Sequence, residues 1–451
     1  MSRRLETLEV PKGPSIEAIL PRLSAALAGD GPALLPVPAS DPATASRAAA
    51  ALRAGAPLDA GEDDGADPTA LVIATSGSTG TPKGTLLPAS ALVASAAATQ
   101  ARLGGPGTWL LALPAHHVAG LQVLLRSVAA GSSPHVLDTA VPFTADRFVA
   151  AVAALTDSSH TGGSVKQNNA GPAAAAARRY VSLVPTQLHR ILLDEQATAA
   201  AREFDAILVG GSSIPPSLLD AARSAGVTVV TTYGMSETCG GCVYDGRPLD
   251  GVTAGVGDDG RIRLTGPMVA RGYRGRPGDR AFPGSHTFVT DDLGTVGDDG
   301  TVSVLGRADD VIVSGGVKVP PAPVEAALAT VPGVAQAVVV GVPDPQWGQV
   351  VTAVITLAGA VSTAPDLDAT RPYLDRAALP AAHRPRRLVV VDAIPALGPG
   401  KPDRVAAVRL ATAARPAVTS PGVAAEPAAE PATGSATKPA ADGGIDGRAH
   451  R

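Results

Sequence analysis

Short apolar runs recur along the first half of the chain and alternate with segments of helical periodicity. Each run is followed by Gly, Pro or polar residues, which is typical of short strands buried on both faces. The runs cover residues 71–74, 109–113, 180–184, 206–209 and 227–230, and a helical pattern covers 217–225. Strands and helices at this spacing predict βαβ units and largely parallel sheets, whose carboxyl ends normally carry the ligand site.

After about residue 261 the pattern changes to short β-rich pieces separated by Gly-rich turns. The Asp-Gly pairs at 259–260 and 299–300 predict hairpins. A last α/β segment begins near residue 308, so we place a domain boundary near Arg307. Its predicted elements are a helix at 323–331 and strands at 335–342 and 350–357.

Two stretches have low-complexity composition. Residues 157–177 interrupt the strand–helix rhythm, which predicts an inserted surface loop. Residues 412–451 contain mainly Ala, Pro, Gly, Ser and Thr and no aromatic residue, so they cannot bury enough surface to offset the entropy of ordering. We therefore predict a first domain at 1–306, a second at 307–411 and a disordered tail.

Composition excludes several classes of protein. The chain has 451 residues and a formal net charge of -4, which gives no field to attract nucleic acid or an anionic membrane, so the expected partners are small molecules. No signal peptide or transmembrane run is evident, and two cysteines cannot build a disulfide framework. These features predict a cytoplasmic enzyme and leave a homo-oligomer open.

The strongest chemical signal is the loop Thr75-Ser76-Gly77-Ser78-Thr79-Gly80-Thr81-Pro82-Lys83-Gly84. Its glycines allow a tight backbone, and its amides, hydroxyls and Lys83 suit a polyphosphate. Pro82 stands where the P-loop NTPase motif requires glycine, so the loop belongs to another class.

This loop resembles the signature of the adenylate-forming superfamily of acyl-CoA synthetases, luciferases and peptide-synthetase adenylation domains. Tyr233-Gly234-Met235-Ser236-Glu237-Thr238 resembles the next family motif. The resemblance implies that Tyr233 packs on adenine, that Ser236 contacts the α-phosphate and that Glu237 holds Mg²⁺. The ATP-binding residues it implies are Thr75, Ser76, Gly77, Ser78, Thr79, Gly80, Lys83, Gly210, Gly211, Ser212, Thr232, Tyr233, Gly234, Ser236, Asp292 and Arg307.

Four later motifs follow in the order of the family. Thr290-Asp291-Asp292-Leu293-Gly294 stands where the family has T-G-D-x-G, so Asp292 is expected at the ribose hydroxyls although Asp291 replaces a glycine. Arg307 resembles a second ribose or phosphate contact, and Asp309 resembles the hinge between domains. Ser314, Gly315 and Gly316 resemble the turn that lines the CoA channel. Lys401 resembles the lysine that bridges the carboxylate and the phosphate during adenylation.

The acyl pocket is also identified by resemblance. His117 occupies the position beside the acyl carboxylate, where it could be a packed gate or a base. The other implied pocket residues are Thr186, Ser212, Gly240 and Gly241. The segments 182–188, 210–213 and 236–246 together resemble the o-succinylbenzoate:CoA ligase family of menaquinone biosynthesis. Cys239 and Cys242 form a C-x-x-C, but we interpret them as small pocket residues rather than a zinc or redox site.

The resemblance implies an α/β fold with a large N-terminal domain of layered α/β subdomains, including a β-rich part, and a small mobile C-terminal α+β lid. The expected catalytic residues are Lys401, Lys83, Glu237 and His117, and the cosubstrates are ATP with Mg²⁺ and CoA. Together these imply that a carboxylate is activated as an acyl-adenylate and transferred to CoA. Two alternatives stay open, namely another acyl- or aryl-CoA synthetase and a non-catalytic nucleotide-binding protein of the same fold.

Overall fold

The computed structural model describes residues 3–75, 82–160, 178–358, 364–398 and 401–414, with backbone only for 158–160, 397–398 and 401. The α-helices are α1 (Leu20–Leu27), α2 (Pro42–Ala51), α3 (Ala89–Arg102), α4 (Val118–Ala129), α5 (Ala145–His160), α6 (Pro185–Leu192), α7 (Glu195–Ala201), α8 (Pro216–Ser224), α9 (Pro321–Leu328), α10 (Leu367–Arg376) and α11 (Arg404–Ala413). Short 3-10 turns lie at Gly13–Ile19, Ser236–Thr238 and Ala381–His383.

The strands form five sheets in the described part of the chain. They are β1 (Leu5–Val10), β2 (Ala33–Pro38), β3 (Thr69–Thr75), β4 (Lys83–Pro88), β5 (Gly107–Leu111), β6 (His135–Val136), β7 (Arg178–Leu183), β8 (Ala206–Gly210), β9 (Val229–Met235), β10 (Gly240–Tyr244), β11 (Arg247–Pro248), β12 (Thr253–Val256), β13 (Arg261–Thr265), β14 (Gly272–Tyr273), β15 (Thr287–Val296), β16 (Val302–Arg307), β17 (Ile312–Ser314), β18 (Val317–Val319), β19 (Val334–Asp344), β20 (Gly348–Leu357), β21 (Arg387–Val390), β22 (Ala396–Gly398) and β23 (Lys401–Pro402).

The largest sheet has seven strands in the order β11-β10-β9-β8-β7-β5-β6. Strands β9, β8, β7, β5 and β6 are parallel, and β10 and β11 are antiparallel additions at one edge. Alternate residues of its strands enter two different cores. Trp109 and Tyr180 belong to one core, and Leu110 and Val181 belong to the other. Because successive side chains of a strand point to opposite faces, both faces of this sheet are buried.

A second sheet, in the order β1-β2-β3-β4-β14, contains the strands that flank the phosphate loop. Strands β12, β13, β15 and β16 form a four-stranded antiparallel sheet. The predicted hairpins are confirmed there, since the turn at 257–260 joins β12 to β13 and the turn at 297–301 joins β15 to β16. After Arg307 the strands belong to other sheets, of which the largest contains β17–β21.

Aspartate caps show how local sequence starts several helices. Asp41, Asp194, Asp366 and Asp403 precede α2, α7, α10 and α11, and each carboxylate accepts a hydrogen bond from the backbone N–H three residues later. Such a bond satisfies one of the amide donors that the first helical turn leaves without a partner. These starts are therefore encoded within a few residues of sequence.

Most predicted elements are present, but several of their limits differ. The helix predicted at 323–331, for example, spans Pro321–Leu328. The strand predicted at 227–230 begins at Val229 and continues to Met235, because its second half pairs with β10. The predicted loop limit of 157 is wrong, since α5 extends to His160, and residues 161–177 lie outside the described part. The predicted tail limit of 412 is also wrong, because α11 ends at Ala413 with Ala411 buried against β19 and β20. Residues 415–451 are not described.

No helix in the described residues combines the length and the apolar character needed to cross a bilayer.

A buried ion pair joins two distant parts of the chain. Arg274 Nη1 lies 2.8 Å from Glu62 Oε2, with side chains 1% and 7% exposed. Arg274 also donates to the carbonyls of Leu52, Arg53 and Pro57. This pair anchors the end of β14 to the segment between α2 and β3.

We expect Glu62→Ala to destabilise the protein by about 3–5 kcal/mol, because it leaves the Arg274 guanidinium buried without a counter-charge. Urea denaturation monitored by circular dichroism measures this loss as a decrease in the free energy of unfolding. Asp220→Ala is the matched control: it removes an exposed partner of Arg223 and should change stability by less than about 0.5 kcal/mol. A cost of Glu62→Ala similar to that of the control would contradict the anchoring role.

Candidate active site

A cavity opens at the carboxyl ends of the parallel strands of the seven-stranded sheet. Its lining comes from the ends of β7, β8 and β9, from β10, and from the first turns of α4. The lining residues are Leu113, Val118, Ala119, Gln122, Arg126, Ser182, Leu183, Val184, Leu208, Gly210, Gly211, Thr232, Gly234, Gly240, Gly241 and Tyr244. Ligands of open α/β sheets normally bind at this edge, so the fold alone makes this cavity the candidate site.

Glycines form one wall of the cavity because the backbones approach too closely for side chains. A Cβ atom on Gly234 would lie 2.1 Å from the carbonyl oxygen of Gly240, and one on Gly210 would lie 2.3 Å from Thr232 Oγ1. Gly240 also has φ +96, a conformation that side chains disfavour. The wall is therefore a flat backbone surface.

Two polar residues of α4 enter the cavity and were missed by the sequence analysis. Arg126 is only 3% exposed, and its guanidinium carbon lies 5.0 Å from the centre of the Trp109 ring. Its Nη2 lies 3.4 Å from Tyr244 Oη, whereas its Nε has no hydrogen-bond partner. No carboxylate among the described residues lies within 4 Å of this cation. Gln122, one helical turn earlier, donates to the carbonyl of Cys239 at 2.6 Å and leaves its Oε1 unpaired.

The strands that flank the phosphate loop are antiparallel neighbours. Thr75 ends β3 and Lys83 begins β4, and the two residues pair directly, with Thr75 Oγ1 3.4 Å from the Lys83 carbonyl. The loop therefore connects the two strands of a hairpin. Its residues Ser76, Gly77, Ser78, Thr79 and Gly80 lie outside the described part of the chain, so their predicted contacts stay predictions.

Glu237 lies in the 3-10 turn that follows β9, and the turn is held by the side chain of Thr238. Thr238 Oγ1 accepts from the Met235 amide at 3.0 Å and donates to the Gly240 carbonyl at 2.7 Å. The Glu237 carboxylate is 9% exposed, and burial raises its pKa. Its Oε1 accepts from Tyr273 Oη at 2.7 Å, and no Lys, Arg or His in the described residues forms an ion pair with it.

This carboxylate fits a magnesium ion. A buried carboxylate without a basic partner gains most from a cation, and Mg²⁺ is commonly held by one or two carboxylates plus substrate phosphates. In the described residues, no group of three or more His, Cys, Asp or Glu side chains could hold a metal. A single buried carboxylate such as Glu237 suits a metal that arrives bound to a polyphosphate.

Asp292 and Tyr233 meet on the opposite side of β9 from the cavity. Thr232 and Gly234 face the cavity, so Tyr233 between them points away, and its hydroxyl donates to Asp292 Oδ2 at 2.8 Å. Burial raises the pKa of Asp292, whose side chain is 15% exposed. Arg307 Nη1 lies 3.8 Å from Asp292 Oδ1. The predicted adenine and ribose residues thus form one cluster.

Asp291, the departure from the family motif, joins the same cluster from its exposed side. Its carboxylate pairs with Arg261 at 2.8 Å and with Arg307 at 3.4 Å. Arg307 Nε also pairs with Asp309 Oδ1 at 2.9 Å. The extra carboxylate therefore ties the predicted ribose residue Arg307 to β13, and the predicted hinge residue Asp309 is held by the same guanidinium.

The other motifs of the C-terminal part have clear backbone roles. Gly315 and Gly316, with φ +56 and +82, form the two-residue turn of the hairpin between β17 and β18, which starts from buried Ser314. Two consecutive positive φ angles are typical of a type I′ turn. Lys401 begins β23 and pairs with Gly398 in a two-stranded ribbon, where only the backbone is described.

Three predicted pocket residues lie beside the cavity rather than in its lining. His117 is the N-cap residue of α4 and makes no side-chain capping bond, and its ring centre lies 4.2 Å from that of His116. Burial lowers the pKa of His116 to about 4, and desolvation also lowers the pKa of His117. Thr186 is exposed on α6, and Ser212 follows β8 at the cavity rim. Of the five predicted pocket residues, Gly240 and Gly241 line the cavity.

The interpretation of the two cysteines as pocket residues is wrong. Cys239 and Cys242 are 0% exposed and belong to the core packed between α3, α4 and β10. Cys239 has φ +53, and the register of β10 shifts between Gly241 and Val243, so the two glycines between the cysteines face the cavity instead. Burial raises the pKa of both thiols, which disfavours the thiolate that metal binding or redox chemistry needs.

Arg126 and Gln122 had a weak signal in the sequence. They are four residues apart on α4, and Leu121, Val123, Leu124 and Leu125 around them are fully buried. Polar residues at positions i and i+4 of a mostly apolar helix lie on one face, which indicates a polar contact inside the protein. The identity of that contact could not be read from the pattern. Tyr273 had no such signal.

We expect Asp292→Asn to stabilise the nucleotide-free protein by about 1 kcal/mol at pH 8, because it removes a desolvated negative charge and keeps the acceptor for Tyr233. Since the folded-state pKa of Asp292 is raised, the wild type loses stability as the pH rises through that value, so the gain should shrink as the pH falls. Asp291→Asn, at the exposed neighbour, is the control and should change stability by less than about 0.5 kcal/mol. Thermal unfolding at pH 5 and pH 8 compares the stability of the wild type and the two variants. A loss of stability in Asp292→Asn at pH 8 would refute the proposed cost of the buried Asp292 charge.

Known protein families and curated relatives match most of this sequence. The AMP-binding enzyme family matches residues 18–157 and 176–274, and the AMP-binding enzyme C-terminal domain matches residues 323–401. A relative from Mycobacterium tuberculosis (strain ATCC 25618 / H37Rv), named as a probable 2-succinylbenzoate--CoA ligase, is 46% identical over 90% of this chain and 98% of its own length.

Solved structures of adenylate-forming enzymes also resemble this chain. O-succinylbenzoate Coenzyme A Synthetase (MenE) from Bacillus subtilis, in complex with ATP and magnesium ion, is 28% identical with a TM-score of 0.60, over 75% of this chain and 70% of that chain. ATP-bound MatB from Rhodopseudomonas palustris shares the fold, with a TM-score of 0.70 at 23% identity over 91% of this chain and 88% of that chain. The predicted superfamily and fold class are confirmed, and the chain belongs to the AMP-binding enzyme family.

Proposed function

We propose that this chain is an AMP-forming 2-succinylbenzoate:CoA ligase, which uses ATP, Mg²⁺ and CoA in menaquinone biosynthesis. The names of its relatives support this substrate. The observation that carries the proposal is the buried guanidinium of Arg126 in the lining of the cavity. A fatty acid or a simple benzoate has no second carboxylate to pair with such a charge while the first is activated.

The Arg126 guanidinium is a buried charge without a counter-ion in the described residues. Taking a cation out of water is unfavourable unless an anion or several acceptors replace the water. Arg126 has one long hydrogen bond to Tyr244 and the face of Trp109. The substrate 2-succinylbenzoate carries two carboxylates, of which only the succinyl group is activated. Its aromatic carboxylate would supply the missing counter-charge, and an Arg–carboxylate pair is strong and directional.

The first half-reaction joins the succinyl carboxylate to the α-phosphorus of ATP and expels pyrophosphate. Lys83 and the phosphate loop hold the phosphates, and Lys401 bridges the carboxylate and the phosphate. Because this chemistry needs charge stabilisation rather than a protein nucleophile, the site requires preorganised cations and donors. Mg²⁺ bound by Glu237 supplies charge neutralisation on the phosphates. Asp292 and Arg307 hold the ribose.

In the second half-reaction the thiol of CoA attacks the activated carbonyl, and AMP leaves. We place the pivot for this step at Asp309, between a domain at 1–306 and a lid at 307–411. The Gly315–Gly316 turn would line the channel, since a turn without side chains leaves room for the pantetheine arm. His117 is the N-cap residue of α4 and precedes the cavity residue Val118, and we assign it a place beside the acyl carboxylate.

The purified chain should form a CoA thioester from 2-succinylbenzoate at least about tenfold to a hundredfold faster, in kcat/KM, than from 3-benzoylpropionate. The two acids differ only in the aromatic carboxylate, and a site with buried polar groups discriminates against an analogue that leaves them unpaired. Benzoate and a medium-chain fatty acid complete the panel. Preference for benzoate or for the fatty acid would refute the succinylbenzoate assignment and leave the assignment as a CoA ligase intact. If no acid supports carboxylate-dependent pyrophosphate exchange, the protein is non-catalytic.

Arg126→Met should lower the ratio of kcat/KM for 2-succinylbenzoate over 3-benzoylpropionate by about a hundredfold, mainly by loss of activity on the dicarboxylate. Methionine fills similar space without charge, so the activity on 3-benzoylpropionate is an internal control for folding. Arg126→Lys should keep part of the preference, because a lysine supplies the charge without the fork of donors. An unchanged ratio in Arg126→Met would show that the aromatic carboxylate binds elsewhere.

A further inference from the structure

Tyr273 contacts two of the proposed nucleotide-binding residues at once. Its hydroxyl donates to Glu237 Oε1 at 2.7 Å, and the Nζ atom of Lys83 lies 5.1 Å from the centre of its ring. The side chain of Tyr273 is 5% exposed. A hydrogen bond to a carboxylate is stronger than one between neutral groups, and an ammonium over a ring face is attracted by the ring quadrupole. Tyr273 thus contacts the Glu237 carboxylate through its hydroxyl and the Lys83 ammonium through its ring face.

The backbone around Tyr273 fixes its position. Strand β14 is two residues long and pairs with β4 through Tyr273 and Thr85, two residues after Lys83. The next residue, Arg274, is held by the buried pair with Glu62. The ring of Phe282 packs edge-on against Tyr273 at 5.0 Å and 77°. The ring is therefore held on both sides, and its hydroxyl has one direction available.

Lys83 and Glu237 carry opposite charges in the same site, yet they form no ion pair within 4 Å in the described residues. Such a pair would neutralise both groups before a nucleotide arrives. Tyr273 offers each group a separate partner that carries no charge. The Oε2 atom of Glu237 and the donors of Lys83 are thereby left for a metal and a phosphate.

We propose that Tyr273 is a positioning residue for metal–nucleotide binding, which orients the Glu237 carboxylate and separates it from Lys83. The proposal rests on the proposed roles of Glu237 and Lys83, and it does not depend on which carboxylic acid is activated. A purely structural alternative is that the hydroxyl only satisfies a buried acceptor and stabilises the fold. The two views differ in whether metal binding responds to loss of the hydroxyl.

Tyr273→Phe removes the hydroxyl and keeps the ring. Tyr180→Phe is a matched control, because Tyr180 is also fully buried and its hydroxyl donates to the carbonyls of Leu103 and Gly105 at 3.0 Å, away from Glu237 and Lys83. Binding of Mn²⁺ to the full chain with saturating α,β-methylene-ATP, followed by electron paramagnetic resonance, gives a readout without turnover. Binding of the same analogue with EDTA, by calorimetry, reports the nucleotide alone.

We expect Tyr273→Phe to weaken Mn²⁺ binding by about tenfold, the scale of a lost hydrogen bond to a charged group. Tyr180→Phe should leave Mn²⁺ binding unchanged, even if its melting temperature falls by as much as that of Tyr273→Phe. Tyr273→Leu, which also removes the ring face, should in addition weaken analogue binding in EDTA. Equal or tighter Mn²⁺ binding in Tyr273→Phe, or the same loss in both Phe variants, would overturn the proposal. Failure of the wild type to make the thioester, with Mn²⁺ binding intact, would instead count against the proposed substrate.

Discussion

The burial of both faces of the seven-stranded sheet is the constraint on which the rest of the structure depends. Alternate residues of β5, β7 and β8 enter two separate apolar cores, so packed apolar side chains fill most of each face. Space for a ligand is therefore left mainly at the edge where the parallel strands end. The cavity, the glycine wall and the turn that carries Glu237 all lie at this edge.

The site keeps charged groups in places where they are costly. Arg126 and Glu237 are almost fully buried without an ion-pair partner in the described residues, and Asp292 is mostly buried with Tyr233 as its main donor. Such groups reduce the stability of the empty protein, because the surrounding protein replaces their water incompletely. In the proposed function Arg126 would meet a carboxylate, Glu237 a Mg²⁺ ion and Asp292 the ribose hydroxyls, so binding recovers part of this loss.

Residues that hold the site are distributed differently from those that contact ligands. Apart from Arg126 on α4, the proposed ligand residues follow strand ends or lie in glycine-rich loops, where short motifs identify them. The supporting residues lie in ordinary segments, such as the two-residue strand β14, and act through contacts across more than 30 residues of sequence. The pair between Arg274 and Glu62 joins segments 212 residues apart and places the neighbouring Tyr273 beside Glu237.

The sequence by itself determined the parallel α/β fold, the hairpins at the Asp-Gly turns, the phosphate loop and the order of the nucleotide motifs. These features depend on local periodicity, on turn residues with positive φ and on caps within three residues, all of which are written in consecutive positions. Only the tertiary structure decided that Cys239 and Cys242 enter the core, that Arg126 enters the cavity and that Tyr273 meets both Lys83 and Glu237. The reason is that a bulge in β10, the rotation of α4 and the pairing of β14 with β4 set the direction of each side chain, and these depend on packing between segments far apart in the chain.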